Sequence, residues 1–316
     1  MKPIALFTCV ASLVCLQSCG ESIIKNKTED AAQHSPETAD TGTKISAPKS
    51  TGNLIIKDEK DLIGYWVGKF EPDTAVNGVP VGDRLAWDYS NKINLSIDGI
   101  ENGKVVGHSV VAGNNRPFAG IVENDKSTFQ FSVSEPGDDK YDGKFKFEIS
   151  QSDSILTGTW TAYGKIKIRS RRYTLTKKIF RYNPGWHLEA GRYVDWNKMK
   201  SKFVKDDELG NGYDITYFTT TEEVNKYNAS VDTLTREMAA NMKKADLFIL
   251  RNAIYARHGF SFKNQQLRAY FDRQPWYIPI STDIKNELTP LEKQNIALLL
   301  RFEKNAKEYY DAFGRG

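Results

Sequence analysis

The feature that most constrains the fold of this chain is an alternation of apolar and polar residues between Leu62 and Tyr182. Apolar side chains occupy every second position in the segments "NKINLSI", "TFQFSV" and "GKFKFEI", which is the period of β-strands with one buried face. Turn-forming pairs such as Asp98-Gly99 and Asn102-Gly103 separate these segments, so about eight strands with short connections are predicted. Closing such an antiparallel sheet removes its edges. We therefore expect an up-and-down barrel or a closed sandwich over residues 58–185.

Two short motifs in this region resemble those of known barrels. Gly64-Tyr65-Trp66 resembles the Gly-x-Trp of lipocalins and their calycin relatives, and Gly158-Thr159-Trp160 resembles a strand motif of avidin-type barrels. The lipocalin resemblance implies that Trp66 closes one end of the barrel and that an arginine of the last strand stacks over it. Arg169, Arg171 and Arg172 are the arginines that could take this place. A β-sandwich whose tryptophans fill the core is the alternative.

One long connection interrupts the regular spacing of the strands. It runs from Glu71 to about Asp83 and leads into Trp87 and Tyr89. Loops of this length in compact domains are either functional or disordered. The lipocalin resemblance implies that this loop covers the cup of the barrel, so Trp87 and Tyr89 are interpreted as a candidate barrel lid. A mobile hairpin tip without a ligand is the alternative.

The first residues have the composition of an export signal. An uncharged run from Ile4 to Leu16 is shorter than the roughly 20 residues that a membrane-spanning helix needs, which predicts a signal peptide over residues 1–18. Leu16-Gln17-Ser18-Cys19 resembles the lipobox of bacterial lipoproteins. The resemblance implies that Cys19 is acylated, with palmitate among the acyl chains, and that Gly20 directs the protein to the outer membrane. A cleaved signal with an incidental cysteine is the alternative.

The polar residues 19–57 and the region after Pro184 complete the predicted organisation. Few large apolar side chains occur between residues 20 and 57, so this lipidated segment is predicted to be a disordered tether. Residues 186–235 are interpreted as a mixed connection and residues 236–316 as a helical domain. Asn264 is a predicted helix cap, and Thr289-Pro290-Leu291-Glu292 is a predicted capping box that starts the last helix. The predicted apolar face of that helix consists of Leu291, Leu298, Phe302 and Tyr309.

The helical region contains "RNAIYARHGFSF" and "RQPWYIPI", and it resembles the YARHG domain, which is named for Tyr255-Ala256-Arg257-His258-Gly259. The resemblance implies an extracellular module without an assigned molecular activity. The fold class is therefore α+β, with a lipocalin/calycin-like antiparallel barrel or closed sandwich followed by a small helical YARHG domain. Candidate binding residues of this module are Arg251, Tyr255, Arg257, His258, Trp276 and Tyr277.

Two interpretations of these residues stay open. Arg251, Tyr255 and His258 follow at helical spacing on one face, where they could hold an anionic group of a cell-wall glycan or peptide. In the structural interpretation, His258 interacts with the last carbonyls of its helix. Tyr255 is then half-buried, and Arg251 and Arg257 pair with carboxylates or stack on Trp276. We favour the structural interpretation.

Composition and spacing argue against several functions. The chain is 40% hydrophobic and 27% charged with a net charge of only +4, which favours a globular protein and gives no sign of nucleic-acid binding. The four histidines do not have metal-ligand spacing, and no cofactor is expected. Gly107-His108-Ser109 is interpreted as part of a strand, and the basic residues from Lys165 to Lys178 as a solvated strand or a site for anionic lipids or wall polymers.

The sequence thus predicts a bacterial envelope lipoprotein that binds or scaffolds a partner without catalysing a reaction. Its predicted partners are the membrane, through the lipid anchor, and a cell-wall, glycan, lipid or envelope-protein component. A cell-wall-modifying hydrolase is the alternative function, although no set of acid, base and nucleophile is recognisable. We expect the protein at the outer membrane.

Overall fold

A computed structural model describes residues 56, 58–77, 90–152, 154–205 and 212–306. Contacts divide the chain into two units, Met1–Lys44 and Ile45–Gly316, and the described residues all belong to the second unit. Cys19 and the candidate lid residues Trp87 and Tyr89 lie outside the described residues. No helix in the described ranges is both long and apolar enough to cross a membrane.

Eight antiparallel strands form a closed barrel, which confirms the predicted number of strands and decides between barrel and sandwich. Each strand pairs with its neighbour in the chain, and the first strand pairs with the last. The strands are β1 Gly64–Pro72, β2 Asn91–Glu101, β3 Lys104–Val111, β4 Asn114–Asp125, β5 Thr128–Ser134, β6 Gly143–Ser150, β7 Ile155–Ala162 and β8 Ser170–Lys178. Helix α1, Thr74–Asn77, follows β1.

The alternation seen in the sequence places the apolar residues in the barrel core. Phe129, Phe131 and Val133 of β5 are buried, as are Phe145, Phe147 and Ile149 of β6. Phe131 lies opposite Phe147 in the register of these strands, and their rings stack with centroids 4.4 Å apart. Burial of these large side chains is the main source of stability for a chain segment of this kind.

Trp66 lies at one end of the barrel, but the prediction that an arginine of the last strand stacks over its ring is wrong. The indole is fully buried, and its Nε1 donates to the Leu62 carbonyl at 2.9 Å, in the 3-10 helix Glu59–Leu62. The cation over the ring is Lys177, with Nζ 5.9 Å from the ring centroid. The register of β1 and β8 is the reason, because it pairs Trp66 with Lys177 and places Arg171 opposite Pro72.

The chain after the barrel folds into a hairpin and four helices. Strands β9 Val194–Val204 and β10 Gly212–Thr219 form a separate two-stranded sheet. A 3-10 helix, Glu222–Asn225, precedes the helices α2 Arg236–Ala240, α3 Lys244–Arg257, α4 Gln265–Phe271 and α5 Pro290–Asn305. Asn264 caps α4, and Thr289 with Glu292 forms the capping box of α5, as predicted.

The buried face of α5 differs from the predicted one. Its buried residues are Glu292, Asn295, Ile296 and Leu299, which follow at helical spacing. Leu291, Leu298 and Phe302 of the predicted face are only partly buried, and Tyr309 lies outside the described residues. Two of the four buried side chains are polar, so a search for an apolar stripe selects the neighbouring face.

Hydrogen bonds tie the YARHG-containing region to the end of the barrel opposite Trp66, which is called the open end below. The Lys92 backbone N–H donates to Asp272 Oδ2 at 2.8 Å, and Arg268 Nε donates to Asn91 Oδ1 at 2.9 Å. The Gly113 N–H donates to Ser261 Oγ at 3.0 Å. Helix α4 therefore lies across this end of the barrel.

Candidate functional site

A cavity of about 460 Å³ lies between the open end of the barrel and helix α4. Its described lining comes from the barrel strands, from the connections between them, including the segment before β8, and from α4 itself. The lining residues used below are Phe70, Asn91, Ser109, Val111, Arg116, Glu135, Phe145, Trp160, Lys167, Arg171 and Arg268.

Aromatic rings form one wall of this cavity. Phe70 of β1 packs edge-on against Trp160 of β7, with ring centroids 5.8 Å apart, and lies 6.4 Å from the ring of Phe145 in β6. All three side chains are buried. They face inward because alternate residues of a barrel strand point to its interior.

Glu135 lies at the same cavity and is held by three donors. Ser109 Oγ donates to its Oε1 at 3.1 Å, while Trp160 Nε1 and the Gly143 N–H donate to Oε2 at 3.1 and 2.7 Å. Burial raises the pKa of this carboxyl, although the three hydrogen bonds oppose the increase. Glu135 therefore orders the cavity wall, a role that its position before Pro136-Gly137 did not reveal.

Two arginines from different parts of the chain approach the cavity. Arg171 of β8 stacks over the Phe70 ring at 4.9 Å, and its Nη1 donates to the Phe70 carbonyl at 3.0 Å. Burial, and to a smaller extent the charge of Arg268, lowers the pKa of Arg171 to about 10. Arg268 of α4 donates to Asn91 and to the carbonyls of Phe262 and Lys263. The sequence suggested Arg171 for the place over Trp66 or for the basic strand from Lys165 to Lys178, and no sequence pattern indicated Arg268.

Arg257 and His258 of the YARHG motif lie inside the helical region. Arg257 Nε donates to the Trp186 carbonyl at 2.9 Å, and its guanidinium lies 6.0 Å from the Trp276 ring. The imidazole Nε2 of His258 lies 2.8 Å from Glu292 Oε2. The ring of His258 also stacks on Tyr182 with centroids 4.2 Å apart.

The carboxylate of Glu292 is the centre of this buried cluster. It accepts hydrogen bonds from the Tyr182 hydroxyl at 3.0 Å and from the Thr289 backbone N–H at 2.9 Å. Burial alone would raise the pKa of Glu292, but the hydrogen bonds, first among them that of His258, lower it to about 2. Burial likewise lowers the pKa of Arg257 to about 10, and Glu292 opposes that decrease.

Each of the other candidate binding residues has its own contacts outside the Glu292 carboxylate. Arg251 forms a two-point ion pair with Glu303, at 2.9 and 3.2 Å. Trp276 Nε1 donates to the His187 carbonyl, and the Tyr277 hydroxyl donates to the Phe260 carbonyl, each at 2.7 Å. Tyr255 lines a separate groove of about 730 Å³. These contacts favour the structural interpretation of the motif over a shared anion site. One part of that interpretation is wrong, because the imidazole of His258 pairs with Glu292 and not with the last carbonyls of its own helix.

The remaining sequence candidates have simple explanations in the structure. Gly107-His108-Ser109 lies within β3, as predicted, and His108 Nδ1 is 2.7 Å from Asp98 Oδ2. Within the described ranges, no cluster of three or more His, Cys, Asp or Glu side chains could hold a metal ion.

Comparison with known proteins agrees with the helical half of the predicted fold. Residues 222–304 match the YARHG domain family, which confirms that resemblance. The matched range begins before residue 236, where the helical domain was predicted to start. No curated protein matches the chain. A crystal structure of fatty-acid-binding protein 1 from Echinococcus granulosus is 15% identical, covers 37% of this chain and 98% of its own, and has a TM-score of 0.21. The barrel assignment rests on the strand pairing itself.

Proposed function

We propose that this protein is a binding protein that holds a small ligand at the open end of its barrel, beneath the YARHG domain. The cavity of about 460 Å³ carries this proposal. Its volume falls in the range of about 300–1,000 Å³ that is usual for small-molecule sites. Aromatic side chains with a few oriented polar groups, the composition found here, are also usual for such sites.

The state of Glu135 favours binding over hydrolysis. A general acid or base must exchange a proton with the substrate, and a nucleophile must reach it. Both oxygens of Glu135 instead accept hydrogen bonds from the protein. The carboxylate therefore acts as a fixed part of the cavity lining. It does not support the alternative function, a hydrolase that modifies the cell wall.

A fluorescence titration tests the cavity directly. N-Phenyl-1-naphthylamine, an uncharged apolar dye, should bind the purified protein with increased emission. Val111→Trp should weaken this binding at least about tenfold, or about 1.4 kcal/mol, because Val111 lines the cavity and an indole would fill part of it. Val106→Trp is the matched control, since Val106 lies on the same strand and is 53% exposed.

Two outcomes would contradict the proposal. One is wild-type protein that does not bind the dye at any concentration at which the dye stays dissolved. The other is equal binding by the Val111→Trp and Val106→Trp variants, which would place the dye elsewhere on the protein.

We further propose that the protein is attached to the bacterial outer membrane through acylated Cys19. The lipobox-like Leu16-Gln17-Ser18-Cys19 directly after an uncharged run supports this proposal. Two or more acyl chains suffice for stable anchoring without a membrane-spanning helix. The attachment would bring the barrel near lipid, glycan or protein components of the envelope.

Replacement of one sulfur tests the anchor. Cys19→Ser should abolish incorporation of radiolabelled palmitate and release the protein from the membrane fraction, because the serine hydroxyl cannot form the thioether. The wild-type chain is the control. A variant that remains labelled and sediments with membranes would refute the anchor without affecting the ligand proposal.

A further inference from the structure

The exposed part of the β9–β10 hairpin has two unlike faces. Residues that pair across the two strands lie on the same face, as do alternate residues along each strand. Tyr213 pairs with Phe203, and Tyr217 pairs with Met199. One face, called the apolar ribbon face below, therefore consists of Met199, Ser201, Phe203, Tyr213, Ile215 and Tyr217. The opposite face is polar and includes Lys200, Lys202 and Thr216.

The five large side chains of the apolar ribbon face are exposed to water. Their exposed fractions run from 38% for Tyr217 to 70% for Tyr213. Given the surface of such side chains, they present roughly 500 Å² in one contiguous patch. This is near the upper end of what a monomeric protein usually exposes, and patches of that size commonly mark interaction surfaces.

We infer that the apolar ribbon face joins two copies of this chain in a symmetric dimer. The face contains two tyrosines, a phenylalanine and a methionine, and none of its six residues is charged. This is the composition of the centre of protein–protein interfaces. A two-fold axis through the face lets one patch serve both partners, so two copies complete the contact. The inference depends neither on the ligand cavity nor on the lipid anchor.

The area of the face sets the strength of this dimer. A standard interface buries about 800 Å² on each partner. The apolar side chains supply roughly 500 Å² of that area, and Ser201 with the rim of the ribbon adds to it when two ribbons lie flat on each other. The contact thus falls at the small end of specific interfaces. We expect a reversible dimer with a dissociation constant on the order of 10 μM.

The two copies pack face to face in this dimer. Because β9 and β10 form a two-stranded sheet, each has one edge without a neighbouring strand in the described part of the chain. Pairing between such edges would extend the sheet but leave both apolar faces in water. Face-to-face packing buries them and leaves Lys200 and Lys202 on the outside. The rings of Phe203 and Tyr213, which meet edge-on with centroids 5.5 Å apart, then offer their outer surfaces to the other copy.

Sedimentation velocity measures the association. The purified protein should pass from monomer to dimer between about 1 and 200 μM, a range that spans the expected dissociation constant. Ile215→Ser should weaken association at least about tenfold, because it places a hydroxyl within the buried face. Ile121→Ser is the matched control, since Ile121 lies on β4 of the barrel and is 50% exposed, against 46% for Ile215. This control should dimerise as the wild type does.

A disulfide cross-link locates the contact. Ser201 lies between Met199 and Phe203 on the apolar ribbon face, near the place where the two-fold axis would pass. Ser201→Cys should therefore form a covalent dimer under mild oxidation. Thr216→Cys, which changes a small exposed side chain of the opposite face, should form several-fold less. The three native cysteines are present in both variants and contribute equally.

Four results would overturn the inference. They are a wild-type protein that stays monomeric over the whole range, equal association of the Ile215→Ser and Ile121→Ser variants, and equal cross-linking of the Ser201→Cys and Thr216→Cys variants. The fourth is binding of monomeric protein to vesicles of phosphatidylethanolamine and phosphatidylglycerol that Ile215→Ser abolishes, which would assign the face to a lipid surface.

Discussion

At the scale of single residues, the YARHG motif contains two polar side chains, Arg257 and His258, that are buried in the structure. Arg257 is 2% and His258 is 6% exposed. Removing a polar or charged side chain from water is costly unless it finds a partner, and each of the two has one or more. The capping box of Glu292 could be predicted from the sequence, but its contact with His258 joins residues 34 positions apart. Local spacing carries no information about that contact.

Gly259 allows a test that separates backbone strain from crowding. Its φ is +73°, and an added Cβ would lie 2.5 Å from Ile280 Cγ1 and 2.9 Å from the Ile278 carbonyl oxygen. Gly191 has the same φ with nothing within 4 Å. Gly191→Ala should therefore cost about 1 kcal/mol of unfolding free energy, and Gly259→Ala about 1–3 kcal/mol more. Chemical denaturation of both variants measures the difference, and equal losses would show that crowding at Gly259 is unimportant.

At the scale of elements, the β9–β10 hairpin was the hardest part to predict from patterns in the sequence. Between Asn197 and Tyr217 its described side chains are exposed on both faces, so no alternation of buried and exposed positions marks the strands. The pairing shifts between Tyr217 and Phe218. Beyond this shift the ribbon enters the core, where Phe218 meets the ring of Tyr193 with centroids 6.4 Å apart.

Two phenylalanines of this hairpin should respond differently to truncation. Phe218 is 4% exposed, so Phe218→Ala should lower the unfolding free energy by about 3–5 kcal/mol through the cavity it leaves. Phe203 is 49% exposed and contacts mainly the Tyr213 ring, so Phe203→Ala should cost about 1 kcal/mol or less. Urea unfolding of the two variants provides the comparison. A large loss of unfolding free energy for Phe203→Ala would contradict the exposed position of this ring.

At the scale of the whole molecule, Glu292 joins three distant segments. Tyr182 follows the barrel, His258 ends α3, and Glu292 itself begins α5. The stability of this arrangement should depend on pH, because the folded pKa of Glu292 is about 2, against an ordinary value of 4.5. Between these values the unfolded chain binds more protons than the folded chain. The contribution of Glu292 is therefore complete above about pH 5 and is lost as the pH falls towards 2.

Comparison with Glu292→Gln isolates this contribution. At pH 7 the variant should unfold more easily than the wild type, because the amide cannot replace the charge that faces His258. The gap between their unfolding free energies should narrow as the pH decreases from 5 to 2, since protonated Glu292 is also neutral. Thermal or urea unfolding at several pH values measures it. A gap that stays constant with pH would contradict a carboxylate that is ionised in the folded protein.

The sequence alone determined the features that local spacing encodes. Alternation over Phe129, Phe131 and Val133 indicated strands, their short connections indicated antiparallel closure, and Thr289 with Glu292 marked the start of α5. Only the tertiary structure placed Lys177 over Trp66, because the register between the first and last strands depends on closure of the whole barrel. It also brought Arg171 and Arg268 to one cavity, although they are separated by the hairpin and three helices. Residues that far apart in the chain come together only when the complete core is packed, and a local periodicity in the sequence does not encode such a contact.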